Sequence, residues 1–252
     1  MSTDYRVPVL LKTMKIIDLI SGQKEGLSFV EILNALNLPK ATLFRILHTL
    51  ETENWIQKKG DKYSLGFMMI HYGLSGLSGR TIRKVSLPFL EELRLLTTET
   101  SHLAVMSGKK SMIVEVCDSQ KHIKLSSPMG SLLDLHCTAH GKVFLAYKIT
   151  EDLHRFYENE TLVRRTGHTI TDVPSLKEEI RRVLKNGYAL DDTEFYDDVR
   201  CLAAPVWGQD NEVVGAVGIT ATTQDFPREM IPSMAEKVIA VARKISREMG
   251  NI

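Results

Sequence analysis

The chain has 252 residues, 43% of them hydrophobic and 25% charged, the balance of an ordinary globular protein with material for one large domain or two modest ones. A formal net charge of +1 excludes a global basic field, so any nucleic-acid surface has to be local. Three scattered cysteines (Cys117, Cys137, Cys201) exclude a disulfide scaffold and a zinc finger; with no signal-peptide pattern and no run near the roughly 20 apolar residues of a membrane span, the expectation is a cytoplasmic protein without membrane contact.

Leu10, Met14 and Ile17, widened by Ile16, Leu19 and Ile20, recur at helical spacing and predict a first helix over residues 8–20. The stretch 28–50, SFVEILNALNLPKATLFRILHTL, predicts two short amphipathic helices joined by a tight turn. Ser28 and Glu31 form a capping box for the first. Pro39 stops that helix and suits the opening of the second. Leu43, Ile46, Leu47 and Leu50 give the second helix an apolar stripe, and Lys40, Thr42, Arg45, His48 and Thr49 give it a cationic, hydrogen-bonding outer face. Such a face suits a DNA major groove or an ordinary solvated hairpin. A predicted β-hairpin follows, strands 55–58 and 62–65 around Lys59-Gly60-Asp61. Three helices and a basic-tipped hairpin are the order of a winged helix-turn-helix, and Lys59 and Lys62 become candidate phosphate contacts.

Residues 66–79 are glycine-punctuated and apolar and read as a linker, with a short helix whose exposed Met and Ile residues need a partner subunit as one form. A helix over 81–98 follows, then strands at 103–106, 112–116 and 123–126, and helices at 138–148 and 150–157. A helix over 175–186 is capped by Ser175 and Glu178 and stopped by Gly187. Strands at 199–207 and 213–221 and a last helix from Pro227 to about 249 complete the chain. Hairpins flanked by helices, without βαβ alternation, predict an α+β domain on an antiparallel sheet.

Two stretches could carry chemistry. In GSLLDLHCTAHGKVFLA (130–146), Thr138 can cap a helix whose first N–H groups belong to Ala139, His140 and Gly141, small enough to cradle a carboxylate or simply to pack closely. In GYALDDTEFYDDVRCLAAPV (187–206), Asp191, Asp192 and Glu194 stand ahead of a strand carrying Cys201, while Asp197 and Asp198 read as solvated loop. Alternative readings are an enzyme using Cys137, His140 and Asp191, or a metal sensor at His136 and His140.

Taken together, LPKATLFRILHTL, KYSLG, LHCTAHGKVFLA, TITD, GYALDDTE and VRCLAAPV, in this order, resemble the IclR family of bacterial transcriptional regulators over nearly the whole chain. The resemblance implies a winged helix-turn-helix domain at 1–66 (helix-turn-helix 28–50), a linker at 67–80, and a GAF-like effector-binding domain at 81–252. It implies a repressor of a carbon-catabolism operon that is not an enzyme and needs no metal or cofactor. Its partners would be palindromic double-stranded DNA, a small carboxylate such as a sugar acid, and further copies of itself in a dimer or dimer of dimers. Carried over by position, the effector pocket falls on Leu125, Leu133, Ala139, His140, Asp191, Cys201, Gly218 and Thr220. His140 departs from the small or apolar residue frequent in the family, and Asp134 from a frequent proline.

Overall fold

The computed structural model describes residues 6–23, 25–78, 81–122, 125, 127–149, 153–158 and 160–251, in two compact units, 1–79 and 80–252. In the first, α1 (Pro8–Ser21), β1 (Leu27–Ser28), α2 (Phe29–Leu36), α3 (Lys40–Thr52), β2 (Ile56–Lys59), β3 (Lys62–Leu65) and α4 (Phe67–Ser78) follow in order. The capping box opens α2: the Ser28 N–H donates to Glu31 Oε2 at 2.7 Å and Ser28 Oγ accepts from the Glu31 N–H at 3.3 Å. Asn37 in the left-handed region ends it. Leu43, Ile46, Leu47 and Leu50 of α3 close a core with Ile16, Ile20, Ile32, Ile56 and Tyr63. The wing gains a third strand, in the order β1-β3-β2. Residues 67–78, read as a linker, form the helix α4.

The second unit begins with α5 (Thr81–Thr97), then β4 (Thr100–Ser107), β5 (Lys110–Cys117), β6 (Leu132–Asp134), α6 (Ala139–Lys148), α7 (Leu153–Phe156), α8 (Val173–Asn186), β7 (Ala189–Asp192), β8 (Val199–Trp207) and β9 (Val213–Thr222); a 3-10 turn (Arg228–Met230) leads into α9 (Ile231–Glu248). Its antiparallel sheet has the order β6-β5-β4-β9-β8-β7. Period-two alternation sorts the strands between two cores. Leu103, Val105, Leu202, Ala204, Val217 and Ile219 pack with α5 and α9 residues on one face. Ala104, Ala203 and Ala216 pack with α6 and α8 residues on the other. The small side chains of that second face let α6, buried from Ala139 to Ala146, lie close to the strands.

Several expectations shift. Of the strand expected at 123–126, residues 123, 124 and 126 lie outside the described residues, and the strand beside β5 is β6. The helix expected at 150–157 is described only as α7, since 150–152 also lie outside. Helix α8 starts earlier than Ser175, because Asp172 is the residue that caps it, accepting the Ser175 N–H at 2.8 Å. The acidic run ahead of β8 is itself an edge strand, β7, whose alternation of buried and half-buried residues is short and easily read as loop.

Lys142 of α6 is fully buried. Its Nζ donates to Leu190 O at 2.7 Å, to Glu179 Oε1 at 3.2 Å and to Glu194 Oε1, tying α6 to α8, β7 and the turn after it. Burial pulls against its charge, but Glu194 and Glu179 outweigh burial and hold the ammonium protonated. Lys142→Met, which strands the buried Glu194 carboxylate, should cost about 3–5 kcal/mol in urea unfolding, while Arg182→Ala, at the exposed end of the same network, should change stability by less than about 1 kcal/mol.

Candidate functional site

The functional side chains of the second unit meet where the α6 N-terminus crosses the sheet. Register sets Thr220 of β9 beside Cys201 of β8, and Cys201 beside Asp191 of β7. All three lie on the α6 side of their strands. Leu125, Leu133, Ala139, His140, Asp191, Cys201 and Thr220 line one cavity of about 100 Å³, together with His102, Ile113, Ser127, Thr138, Phe195, Tyr196 and Val199. His102, which the sequence did not single out, is central. Its Nε2 lies 2.7 Å from Thr220 Oγ1 and its Nδ1 lies 2.7 Å from His140 Nε2. Thr220 Oγ1 continues the chain to Cys201 Sγ at 3.2 Å. The remaining nitrogen, His140 Nδ1, is buried and has no partner among the described residues.

Gly218 is a correction to the expected lining, since it does not border the cavity. It stands opposite His102 across β4 and β9, and a Cβ there would sit 2.9 Å from His102 Cε1 and 2.4 Å from Leu202 O. The glycine makes room for the imidazole rather than for a ligand. Gly141 is similar: a Cβ would lie 2.3 Å from both Cα and O of Leu135, so its smallness serves packing. The Thr138 cap accepts the Gly141 N–H at 3.3 Å, which narrows the expected backbone cradle to Ala139 and His140. Asp134, in place of the frequent proline, accepts from Arg165 at 2.5 Å and from Lys110 and lies outside the cavity lining.

Burial dominates the electrostatics. It pushes Asp191 up to about 7, against the pull of Lys142 and of the Glu194 N–H that its Oδ1 accepts at 2.8 Å. It pushes His102 down to about 4, and His140 also far below the ordinary imidazole value, with His102 adding to the fall. Both rings are therefore neutral near pH 7. Cys137 is wholly buried, and burial pushes its thiol up to about 12, the opposite of an activated nucleophile. His136 Nε2 lies 3.0 Å from Val163 O and does not join His140. Among the described residues no group of three or more His, Cys, Asp or Glu is placed to hold a metal ion.

In the first unit, Lys40, Arg45, His48 and Thr49 are exposed on α3, Thr42 is half-buried, and Lys59 is exposed on β2. Lys62, on β3, is partly covered and pairs with Glu25 at 3.5 Å. The exposed face also presents Ala41 and Phe44, the latter stacked on His48 with ring centroids 6.1 Å apart. A helical wheel places both there, but neither carries the charge that drew attention to their neighbours.

Residues 9–60 match the family model described as the IclR helix-turn-helix domain, and residues 74–247 the model described as bacterial transcriptional regulator IclR, C-terminal. The chain is similar to the HTH-type transcriptional regulator XynR of Escherichia coli K12, 27% identical over 95% of this chain and 96% of that one. It is similar also to the HTH-type transcriptional repressor AllR of Salmonella typhi, 27% identical over 91% and 85%. The crystal structure of Thermotoga maritima IclR is 28% identical and covers 97% of this chain and all of its own, at a TM-score of 0.74.

Because Asp191 ionises near 7 when folded but about 4 when unfolded, the penalty for burying its charge is absent below about pH 4, grows as pH rises towards 7 and is complete above it. Asp191→Asn should therefore melt higher than the parent at pH 8, by on the order of 2–4 kcal/mol, with the gap closing at pH 4 in calorimetry.

Proposed function

The chain belongs to the IclR family of bacterial transcriptional regulators, and from that premise we propose that it is a repressor binding palindromic operator DNA through α3 and a small carboxylate effector in the cavity of the second unit. The observation that carries the DNA reading is the split of α3, with Leu43, Ile46, Leu47 and Leu50 buried against a basic face left exposed. Lys40, Thr42, Arg45, His48 and Thr49 face the major groove, Arg45 as the main base or phosphate contact. Lys59 on the wing holds a phosphate, and Lys62 positions the wing through Glu25. In this reading residues 1–66 bind DNA, 67–80 link, and 81–252 bind effector.

Relatives of the chain are transcriptional regulators, not enzymes, and one bears the name repressor, which supports that direction of control. Apolar side chains left exposed on α1 (Val9, Leu10, Met14) and on α4 (Phe67, Ile70, Tyr72) support self-association, since exposed apolar patches of this kind are ordinarily covered. For the effector, a cavity of about 100 Å³ is smaller than the roughly 150 Å³ that encloses benzene. A short hydroxy- or oxo-acid from a carbon-catabolism route fits it better than a six-carbon sugar acid.

Arg45→Ala should weaken binding to the DNA upstream of the regulated gene by about 1–3 kcal/mol in fluorescence anisotropy; an unchanged affinity would exclude α3 as the reading helix. Lys59→Ala should lower the slope of log affinity against log salt by about one, and Lys62→Ala should leave that slope intact. A short acid that raises the melting temperature should also release the DNA, and one that tightens it would mark an activator or co-repressor instead.

A further inference from the structure

We propose that the His102–His140 pair is the element that recognises the effector's carboxylate, and that it does so by taking up one proton for each ligand bound. The inference rests on the reading of this cavity as the effector site. It begins with a missing charge: among the described residues no lysine or arginine lines the cavity. The nearest buried ammonium, Lys142, is committed to Glu179, Glu194 and Leu190 O. A carboxylate that leaves water for this cavity needs a countercharge, because desolvating an unpaired anion is costly. The start of α6 supplies only a partial one.

The titratable groups around the pair are Asp191 from β7, Cys201 from β8 and Tyr196 from the segment that follows β7, with the Thr220 hydroxyl from β9. Of these, Asp191, Cys201 and Tyr196 are acids. Only the two imidazoles can become cationic. Their connection suits the task, since His140 Nε2 and His102 Nδ1 share one proton at 2.7 Å and His102 Nε2 reaches Thr220 at 2.7 Å. His140 lines the cavity, and its Nδ1, which has no partner among the described residues, is the position open for a further proton. Once it is protonated, it donates to the carboxylate, while the ring-to-ring hydrogen bond spreads the charge over both imidazoles. The balance is one proton from solvent and one carboxylate from solvent, giving a neutral ion pair in the cavity. An opposite charge within about 4–6 Å favours the charged imidazole, so ligand and proton bind cooperatively. In the free protein both rings are neutral at pH 7 because burial holds them so.

Isothermal titration calorimetry of the full chain tests this, with glycolate, lactate and acetoacetate as probes, each in phosphate and in Tris at pH 7. Close to one proton should be taken up per acid bound, and affinity should fall towards tenfold per pH unit as pH rises through the uptake range. His140→Gln and His102→Gln, which keep a hydrogen-bonding amide but cannot charge, should bind without uptake. Asp191→Asn, whatever its affinity, should still take up the proton. Binding by the parent chain with no proton uptake would overturn the inference and leave the effector reading standing. Uptake that persists in both glutamine variants, or that vanishes in Asp191→Asn alone, would move the proton elsewhere and overturn it too. If none of the three acids binds, the effector reading for short acids falls, and the inference falls with it.

Discussion

An ammonium buried away from solvent must be surrounded by countercharges and acceptors, and Lys142 imposes that requirement on the second unit. Its partners come from three places: Glu179 on α8, the Leu190 carbonyl on β7, and Glu194 in the turn after β7. Satisfying one charge thereby sets where α6 lies relative to the last strand of the sheet. The tethered Leu190 and Glu194 bracket Asp191, whose Oδ1 accepts the N–H groups of Glu194 and Phe195 at 2.8 and 3.3 Å. A buried ion cluster of this kind adds little net stability over an apolar one of the same shape. What it contributes is placement.

That placement would be useless without a sheet face able to receive a helix. Ala104, Ala203, Ala216 and Gly218 make the α6 side of the central strands shallow, and the backbone of Leu135 presses against Gly141. Where the small residues give way to Cys201, Thr220 and His102, the helix and sheet part enough to leave a cavity. The surface it exposes is mostly apolar, with His102, His140 and Asp191 buried around it, a composition usual for a ligand site. Asp191 and the imidazole pair are there at a cost in stability, since burial moves each away from its ordinary ionisation. Groups held against their own solvation preferences are typical of functional sites.

Much of this chain's local structure is legible in its residues alone. The Ser28–Glu31 capping box, the apolar stripe of α3, the wing hairpin, the β8 and β9 strands and the Gly187 stop of α8 all depend on neighbours within a few positions. The shortfalls are instructive. Ser175 is the expected cap of α8, but Asp172, three positions earlier, is the residue that does so. Strand β7 has only four residues, too few for alternation to separate it from an acidic loop. The pairing of Lys62 with Glu25 depends on how the wing folds back on the loop before β1, which no local pattern encodes.

The sequence by itself determined the two-domain α+β organisation and the exposed basic face of α3, because helix and strand periodicities and capping signals are written in residues three to four, or two, apart. The resemblance already pointed to most of the pocket's lining; only the tertiary structure brought in His102 and decided how the polar groups pair. His102 meets Thr220 across 118 positions and His140 across 38, and Lys142 meets Glu194 across 52. Those pairings follow from strand register and from which face of the sheet α6 covers. No local pattern encodes that choice; it is settled when the buried charges and small residues of distant segments are satisfied together.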